Sequence, residues 1–300
     1  MTRGRAIWLM VVVTLLWSIA GVVTRHLDSA RSFEVTFWRS LFNALTLAVA
    51  LTAMRGSRLW HDLRHAGWPL WLSGVCWGVM YTAFMVAMTL TSVANVLVTM
   101  AFGPLLTALL ARCFLRHRLL PRNWLAIAVG SGGIAWMFAQ EAGSALLFTG
   151  TLVALAVPLA AAINWTVLQH VNQSHGHQGR LTDMMPAVLI GALLSALVTL
   201  PLALPWQATP HDIGLLALLG TVQLAIPCLL LIRVSRVLPA PEIALLGLLE
   251  VVFGVALAWL GASETPSPTA LIGGALVLAA LVANELPAAR RTFMLRKDAA

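Results

Sequence analysis

One carboxylate lies in the middle of a long apolar stretch in the C-terminal half of the chain. The stretch runs from Leu238 to Leu260, and Glu250 stands near its centre. If this stretch crosses a lipid bilayer, Glu250 lies close to the midplane, where a charge costs roughly a few kcal/mol even on the most lenient scale. Glu250 is therefore predicted to have a function in its own right. A hydrogen bond between helices is the structural alternative.

An aromatic face is predicted on an earlier apolar stretch. Gly74, Trp77, Tyr81 and Phe84 follow one another at spacings of three or four residues, with Met80 beside them. Residues at these spacings share one face of a helix. Rings and a thioether on such a face would contact the apolar side chain of a small substrate. Ordinary packing against another helix is the alternative, because aromatic residues at this spacing also fill cores.

Further candidate residues are polar or aromatic and lie well inside other apolar stretches. Together with Trp77, Met80 and Tyr81, the predicted substrate-binding residues are Trp17, Ser18, Asn95, Thr99, Asn164, Trp165 and Gln223. Their amides and hydroxyls could form hydrogen bonds with polar groups of a small substrate. The same groups also form hydrogen bonds between membrane helices, so this alternative stays open. Arg39 is interpreted as a snorkelling side chain, with carboxylate recognition as the alternative.

Composition places these residues in a membrane protein. Of 300 residues, 60% are hydrophobic and 10% are charged, whereas a soluble domain has about 25% charged residues. The net charge of +8 comes from basic residues between apolar runs. This placement suits contact with anionic membrane lipids and argues against nucleic acid as a partner.

Ten apolar stretches have the length that a bilayer requires of a helix. The predicted fold is thus all-α, with ten transmembrane helices. They are Ala6–Thr24, Phe33–Ala53, Trp68–Thr89, Thr91–Ala111, Pro121–Ala139, Leu147–His170, Asp183–Leu204, Asp212–Ser235, Leu238–Leu260 and Pro268–Asn284.

The basic residues test this count of helices. Ten helices put both termini and four connections on one side of the membrane. The basic residues on that side are Arg3, Arg5, Arg55, Arg58, Arg64, Arg112, Arg116, Arg118, Arg122, Arg180, Arg233, Arg236, Arg290, Arg291, Arg296 and Lys297. The opposite connections hold only Arg25 and Arg31. Positive residues favour the cytoplasmic side, so both termini are predicted to be cytoplasmic.

An internal repeat relates the two halves of the chain. With a shift of 147 positions, Pro121 at the start of the fifth predicted helix meets Pro268 at the start of the tenth. The predicted repeats are residues 1–143 and 144–300, the second ending in a basic cytoplasmic tail. Since each holds an odd number of helices, the second is inverted relative to the first. Inverted repeats are typical of secondary transporters, which bind substrate between the halves.

Several segments carry a resemblance to a known family. They are LLWSIAGVVTR, FWRSLFNALTLAV, AMTLTSVANVLVTMAFGPLLTALLA, VSRVLPAPEIALLGLLEVVFGVALAWLGASE and GGALVLAAL. In order and spacing, these segments resemble the EamA-type carriers of the drug/metabolite transporter superfamily, and most of all the YddG-type aromatic amino-acid exporters. The resemblance implies two inverted five-helix repeats around a central cavity and efflux of small metabolites. The resemblance also implies that this glutamate is common among carriers with different cargoes, which favours a gating or proton-linked role for Glu250. Glu250-Val251 departs from the Glu-Pro of many relatives, which makes gating at this helix harder to infer.

These observations together predict a carrier of the bacterial inner membrane. It would export aromatic and other apolar amino acids, with related metabolites, by alternating access. A broad-specificity drug or metabolite efflux carrier and a passive facilitator are the alternatives. No GxxxxGK[ST] motif is present, so gradients would drive transport. No enzyme activity is predicted, since catalytic His, Asp or Ser residues do not cluster within the helices.

The predicted partners are the small substrate and membrane lipids. No cofactor or metal is expected, because the spacing of His170, His175 and His177 does not secure a set of ligands. Glycines at 130, 132, 133, 273 and 274 indicate close helix packing. A homodimer contact is one use for such faces.

Overall fold

The computed structural model describes residues 1–30, 32–56, 66–114, 145–176, 184–238 and 249–268, with single positions within 59–63, 125–136, 243–247 and 271–279. All regular structure in these residues is helical. The helices are α1 (Arg3–Thr24), α2 (Ser32–Arg55), α3 (Trp68–Leu90), α4 (Val93–Met100), α5 (Gly103–Phe114), α6 (Ala145–Gly176), α7 (Met185–Ala203), α8 (Pro210–Leu218), a π-helical segment (Leu219–Ala225), α9 (Ile226–Val234) and α10 (Leu249–Ala262).

Seven helical segments in the described residues are long and apolar enough to cross a membrane. They are Arg3–Thr24, Phe33–Arg55, Trp68–Leu90, Val93–Leu110, Phe148–Val171, Met185–Ala203 and Pro210–Val234, and the shorter apolar helix α10 follows. The all-helical membrane fold is thus confirmed. Most of the fifth and tenth predicted helices, and the first part of the ninth, lie outside the described residues, so the count of ten stays a prediction.

Two of the predicted helices are less regular than expected. The fourth is split into α4 and α5 by a turn at Ala101 and Phe102. Pro104 contributes to this interruption, because proline has no backbone N–H to donate to the carbonyl oxygen of the residue four positions earlier, Met100. The eighth passes through the π-helical segment Leu219–Ala225 in its middle. π-Helical turns inside α-helices are frequent at functional sites.

Small residues allow three central helices to approach closely. Helix α3 packs against both α6 and α7. A methyl group added at Gly74 would come within 2.5 Å of Ile190, and one added at Gly78 would lie 3.3 Å from the carbonyl oxygen of Gly191. Lipid tails are as apolar as these side chains, so close packing rather than burial from water holds membrane helices together. Large apolar residues such as Trp8, 72% exposed, face outwards.

One end of the bundle is tied together by polar contacts. At this end α1, α3 and α10 end while α2 and α8 begin; we call it the Arg25 end. Arg25 donates from Nε to Glu264 at 2.5 Å and from its other two nitrogens to the carbonyl oxygens of Met88 and Thr91, at 3.0 and 2.9 Å. Glu264 also accepts a bond from the backbone N–H of Val93 at 2.7 Å. Four segments are thus joined around one ion pair.

Two further carboxylates at the Arg25 end bind backbone amides of loops. Glu34 accepts bonds from the N–H groups of Gln207 and Ala208, at 2.9 to 3.0 Å. Asp212 accepts from the N–H groups of residues 28–30 and of Thr209, between 2.7 and 3.2 Å. Each carboxylate thereby satisfies donors that a loop would otherwise leave unpaired. These bonds connect the first loop of the chain to the one before α8.

Candidate functional site

A cavity of about 170 Å³ lies between the helices. Helices α1, α2, α3, α5, α6, α9 and α10 contribute to its wall, together with α4 and the π-helical segment. Its lining residues are Met10, Trp17, Arg39, Trp77, Met80, Tyr81, Phe84, Leu97, Met100, Ala101, Gly103, Thr107, Val157, Pro158, Ala161, Trp165, Gln223, Leu224, Cys228, Leu231, Ile243, Gly247, Glu250 and Val251. Most of this wall is apolar.

The cavity extends away from the Arg25 end. Met10 lies 14 residues before the end of α1 at Thr24, about 21 Å of helix. Thr107, in α5, likewise lies 14 residues after Val93. The polar contacts of Arg25 therefore lie on one side of the cavity. The lining residues Met10 and Thr107 lie towards the other end of the bundle.

Seven of the sequence-predicted site residues line this cavity. They are Trp17, Trp77, Met80, Tyr81, Trp165, Gln223 and Glu250. The rings of Trp77 and Trp165 meet edge to face, with centroids 5.9 Å apart and 90° between their planes. Tyr81 lies one turn along α3 from Trp77, with centroids 5.5 Å apart. The aromatic face of α3 thus meets a tryptophan of α6, an arrangement that favours contact with apolar or aromatic groups.

Two other predicted residues, Ser18 and Asn164, form bonds between helices outside the lining. The hydroxyl of Ser18 donates to the carbonyl oxygen of Thr14 at 2.7 Å and to that of Glu250 at 3.3 Å. Asn164 accepts a bond from the hydroxyl of Ser73 at 2.6 Å. These contacts correspond to the structural alternative, hydrogen bonding between membrane helices.

The remaining predicted pair, Asn95 and Thr99, also lies outside the cavity lining. The side-chain amide of Asn95 donates to the hydroxyl of Thr91 at 3.2 Å, and Thr99 donates to the carbonyl oxygen of Asn95 at 2.7 Å. Both residues are buried. Their side chains thus make local bonds at the start of the fourth predicted helix.

Arg39 differs from its sequence interpretation. A snorkelling arginine would reach the membrane surface, but Arg39 is only 1% exposed and lines the cavity, so that prediction was wrong. Its Nε and Nη2 donate to Oε1 of Gln223 at 3.2 and 3.0 Å. Its guanidinium carbon stands 5.6 Å from the ring centre of Phe84. The sequence signal was present, since Arg39 is the only basic residue inside the second predicted helix.

The π-helical segment positions the partner of Arg39. Gln223 lies in this segment, and its Nε2 donates to the carbonyl oxygen of Trp17 at 3.3 Å. Gly220, in the same segment, brings the backbones together: a methyl group there would come within 2.6 Å of the carbonyl oxygen of Arg39. Gln223 therefore connects α1 and α2 through its two amide atoms.

Glu250 is the carboxylate of this cavity. It is 8% exposed and lies in the first turn of α10 as described. In the described part of the chain its side chain forms neither a hydrogen bond nor an ion pair, and its backbone carbonyl accepts the bond from Ser18. Cys228 also faces the cavity and accepts a bond from the hydroxyl of Tyr81 at 3.5 Å. Among the described lining residues, Arg39 and Glu250 thus supply opposite charges beside rings and thioethers.

In the described part of the chain, one group of potential metal ligands occurs outside the cavity. Ligand atoms of Asp28, His211 and Asp212 lie within 4.8 Å of one another. Asp28 and His211 have exposed side chains, and they contact each other at 3.1 Å. Both oxygens of Asp212 already accept backbone N–H bonds. The structure therefore explains the cluster as a connection between loops at the Arg25 end.

The chain is similar in sequence to known transporters. The sequence model of the EamA-like transporter family matches twice, over residues 4–139 and 148–284. The chain is 24% identical over 272 residues to an S-adenosylmethionine uptake transporter of Rickettsia prowazekii (strain Madrid E), covering 88% of this chain and 86% of the relative. It is also 24% identical over 294 residues to the uncharacterized transporter YwfM of Bacillus subtilis (strain 168), covering 94% and 95%.

A solved crystal structure is similar in fold. It superimposes with a TM-score of 0.63 and covers 95% of this chain and 98% of its own, at 20% sequence identity. At this identity the likeness concerns the fold alone. The arrangement of helices around the cavity is thus one that a known structure shares over nearly its whole length.

Proposed function

Since this chain belongs to the EamA-like transporter family, we propose that it is a secondary carrier that exports amino acids with aromatic or other apolar side chains. The observation that carries the proposal is the composition of the cavity wall. Trp17, Trp77 and Trp165 supply rings and Met80 supplies a thioether, while Arg39 and Glu250 supply opposite charges. An amino acid combines an apolar side chain with both charges, so this wall is complementary to it.

The proposed architecture is ten transmembrane helices in two inverted repeats, residues 1–143 and 144–300. The repeated match to one family model supports it, as do seven spanning segments in the described residues. An odd number of helices per repeat inverts the second half. The cavity between the halves would then open to each side in turn, which is alternating access.

We further propose that the carrier lies in a bacterial inner membrane with both termini in the cytoplasm. The distribution of basic residues supports this orientation, and so do the bacterial sources of its relatives. The Arg25 end would then face outwards. In this orientation the cavity extends towards the cytoplasm, the side from which an exporter takes its substrate.

Glu250 is the residue for which we propose a gating or proton-linked role. It lies where α1 and α10 touch, since the hydroxyl of Ser18 bonds its carbonyl oxygen. Its side chain also lines the cavity. A carboxylate at this place is exposed to a bound substrate. It also lies at the contact between α1 and α10, which must separate if the cavity is to open at the Arg25 end.

A second candidate is transport of S-adenosylmethionine. The relatives from Rickettsia bear this name, and the molecule joins an amino-acid group to a sulfonium cation and an adenine ring. Tryptophan rings in the cavity suit both the flat base and the cation. Broad efflux of drugs or metabolites and passive facilitation stay as further alternatives.

Counterflow in proteoliposomes tests these proposals. Proteoliposomes containing the purified chain are loaded with one unlabelled compound. Uptake of the labelled form of phenylalanine, methionine, glutamate or S-adenosylmethionine is then measured, with and without a proton gradient. We expect exchange of phenylalanine and methionine and little exchange of glutamate. Exchange of S-adenosylmethionine alone would favour the second candidate. No exchange of any of these compounds would overturn both.

A further inference from the structure

In the described residues, two charges of opposite sign line the cavity and form no ion pair with each other. Arg39 is buried, and its Nη1 has no hydrogen-bond partner. Among the residues that the structure describes, its other two nitrogens donate to Gln223, a neutral amide, and its guanidinium carbon stands 5.6 Å from the ring centre of Phe84. A buried guanidinium nitrogen without a partner loses its bonds to water and gains none in return, so the free cavity leaves Arg39 incompletely satisfied.

The carboxylate of Glu250 does not supply the missing partner. Both residues line the cavity, yet the described part of the chain contains no ion pair between them. The side chains around them are mostly rings and aliphatic groups, among them Trp17, Phe84 and Leu224. In the described residues, neither charge has an ion-pair partner in this wall. Each charge is therefore available to a ligand.

We propose that the cavity recognises zwitterions through both charges at once, with the ligand carboxylate at Arg39 and the ligand ammonium at Glu250. This inference rests on the proposed function and names the substrate class. An arginine nitrogen with free N–H groups bonds a carboxylate strongly, because both partners are ionised. The apolar side chain of the ligand then lies against Trp77 and Trp165, whose rings meet edge to face.

The surroundings of Arg39 hold it in place for this role. The backbone of α2 is in close contact with the π-helical segment at Gly220, and Gln223 holds the guanidinium from one side. Little side-chain freedom is then lost when a carboxylate binds, which improves affinity. A ligand with one charge would satisfy one protein group and leave the other unpaired. The cavity should therefore discriminate against such ligands.

Three compounds with one ring system test this recognition. Phenylalanine carries both charges, 2-phenylethylamine lacks the carboxylate, and 3-phenylpropanoate lacks the ammonium. Each competes for exchange of labelled phenylalanine in proteoliposomes containing the full chain. We expect each single-charge compound to compete at least about tenfold more weakly than phenylalanine, the loss of one charged hydrogen bond. This comparison needs no variant, so it holds even if a substitution prevents folding.

Two substitutions should then produce opposite changes. With Glu250→Gln, 3-phenylpropanoate should inhibit the residual phenylalanine exchange about as well as unlabelled phenylalanine does, because the ammonium has lost its partner. With Arg39→Gln, 2-phenylethylamine should compete about as well as phenylalanine. The variant Arg39→Lys keeps the charge and should retain part of the preference for phenylalanine. Asp28→Asn and Arg233→Gln serve as matched controls, since both residues are exposed and lie outside the cavity lining.

The outcomes separate the two levels of the proposal. One outcome is that the wild-type chain exchanges phenylalanine but that both single-charge compounds compete as well as phenylalanine does. In that case zwitterion recognition is overturned and amino-acid transport stands. Equal weakening of all three compounds in both variants also overturns it, because that result indicates a structural role. If the wild-type chain exchanges neither phenylalanine nor methionine, the proposed export of amino acids fails, and the recognition inference fails with it.

Discussion

Arg25 and Arg39 are two arginines of the same bundle with opposite surroundings. Arg25 bonds through all three of its nitrogens, to Glu264 and to two carbonyl oxygens. Arg39 bonds through two nitrogens to a single amide oxygen, and its third nitrogen has no partner. The first arginine joins helix ends and the second faces a cavity. Complete partnering thus accompanies an architectural role, and incomplete partnering accompanies a place for a ligand.

The two glutamates of the α10 region repeat this contrast. Glu264 accepts bonds from Arg25 and from the backbone of Val93. Glu250 stands in the cavity without a side-chain partner in the described residues. The same substitution at the two sites should therefore have different effects, on transport at one and on stability at the other.

Glu250→Gln is expected to have the largest effect. Glutamine keeps the shape of the side chain and removes the charge, so counterflow of phenylalanine should fall about a hundredfold, the upper range for one charged hydrogen bond. The unfolding temperature of the purified variant should not fall, because an unpaired buried charge does not stabilise the fold. Transport at the wild-type rate would show that Glu250 has a structural role, as Glu264 has.

Gly220→Ala is expected to have an intermediate effect. The added methyl group would come within 2.6 Å of the carbonyl oxygen of Arg39 and of Cβ of Phe42. Overpacking of this kind costs about 2 kcal/mol and should shift Arg39, which raises the KM for phenylalanine. Gly214→Ala is the matched control on the adjoining helix, since a methyl group there meets no atom within 4 Å. Equal behaviour of the two variants would contradict close positioning of Arg39.

Glu264→Gln is expected to have the smallest effect. The ion pair with Arg25 is partly exposed, with side chains 29% and 20% accessible. Its loss should lower the free energy of unfolding by about 1 kcal/mol, because such pairs are screened by solvent. Preference among phenylalanine, 2-phenylethylamine and 3-phenylpropanoate should not change. A change in that preference would show that the Arg25 end takes part in recognition.

Much of the aromatic wall followed from residue spacing. Trp77, Met80 and Tyr81 share one face because a helix repeats every 3.6 residues, and the structure places all three at the cavity. Their role in substrate binding stays a prediction. The spacing rule worked here because local helix geometry alone determines which side chains share a face.

Residues whose position depends on a neighbouring helix were less predictable. Ser18 is adjacent in sequence to Trp17, yet it faces α10 while Trp17 lines the cavity. The rotation of one helix against the next decides between these faces. The same limit applies to Arg39: a snorkelling side chain was a reasonable interpretation until the approach of the π-helical segment, through Gly220 and Gln223, enclosed it.

The membrane fold, the family resemblance and the aromatic face of α3 could be predicted from residue order alone, because composition and helical period are local properties. The tertiary structure decided that Arg39, Gln223 and Glu250 share one cavity, although 184 and 27 positions separate consecutive members of this set. It also decided that Arg25 and Glu264 pair with each other, 239 positions apart. Charges that far apart meet only when helices pack, and packing therefore determines which of them remain available to a ligand.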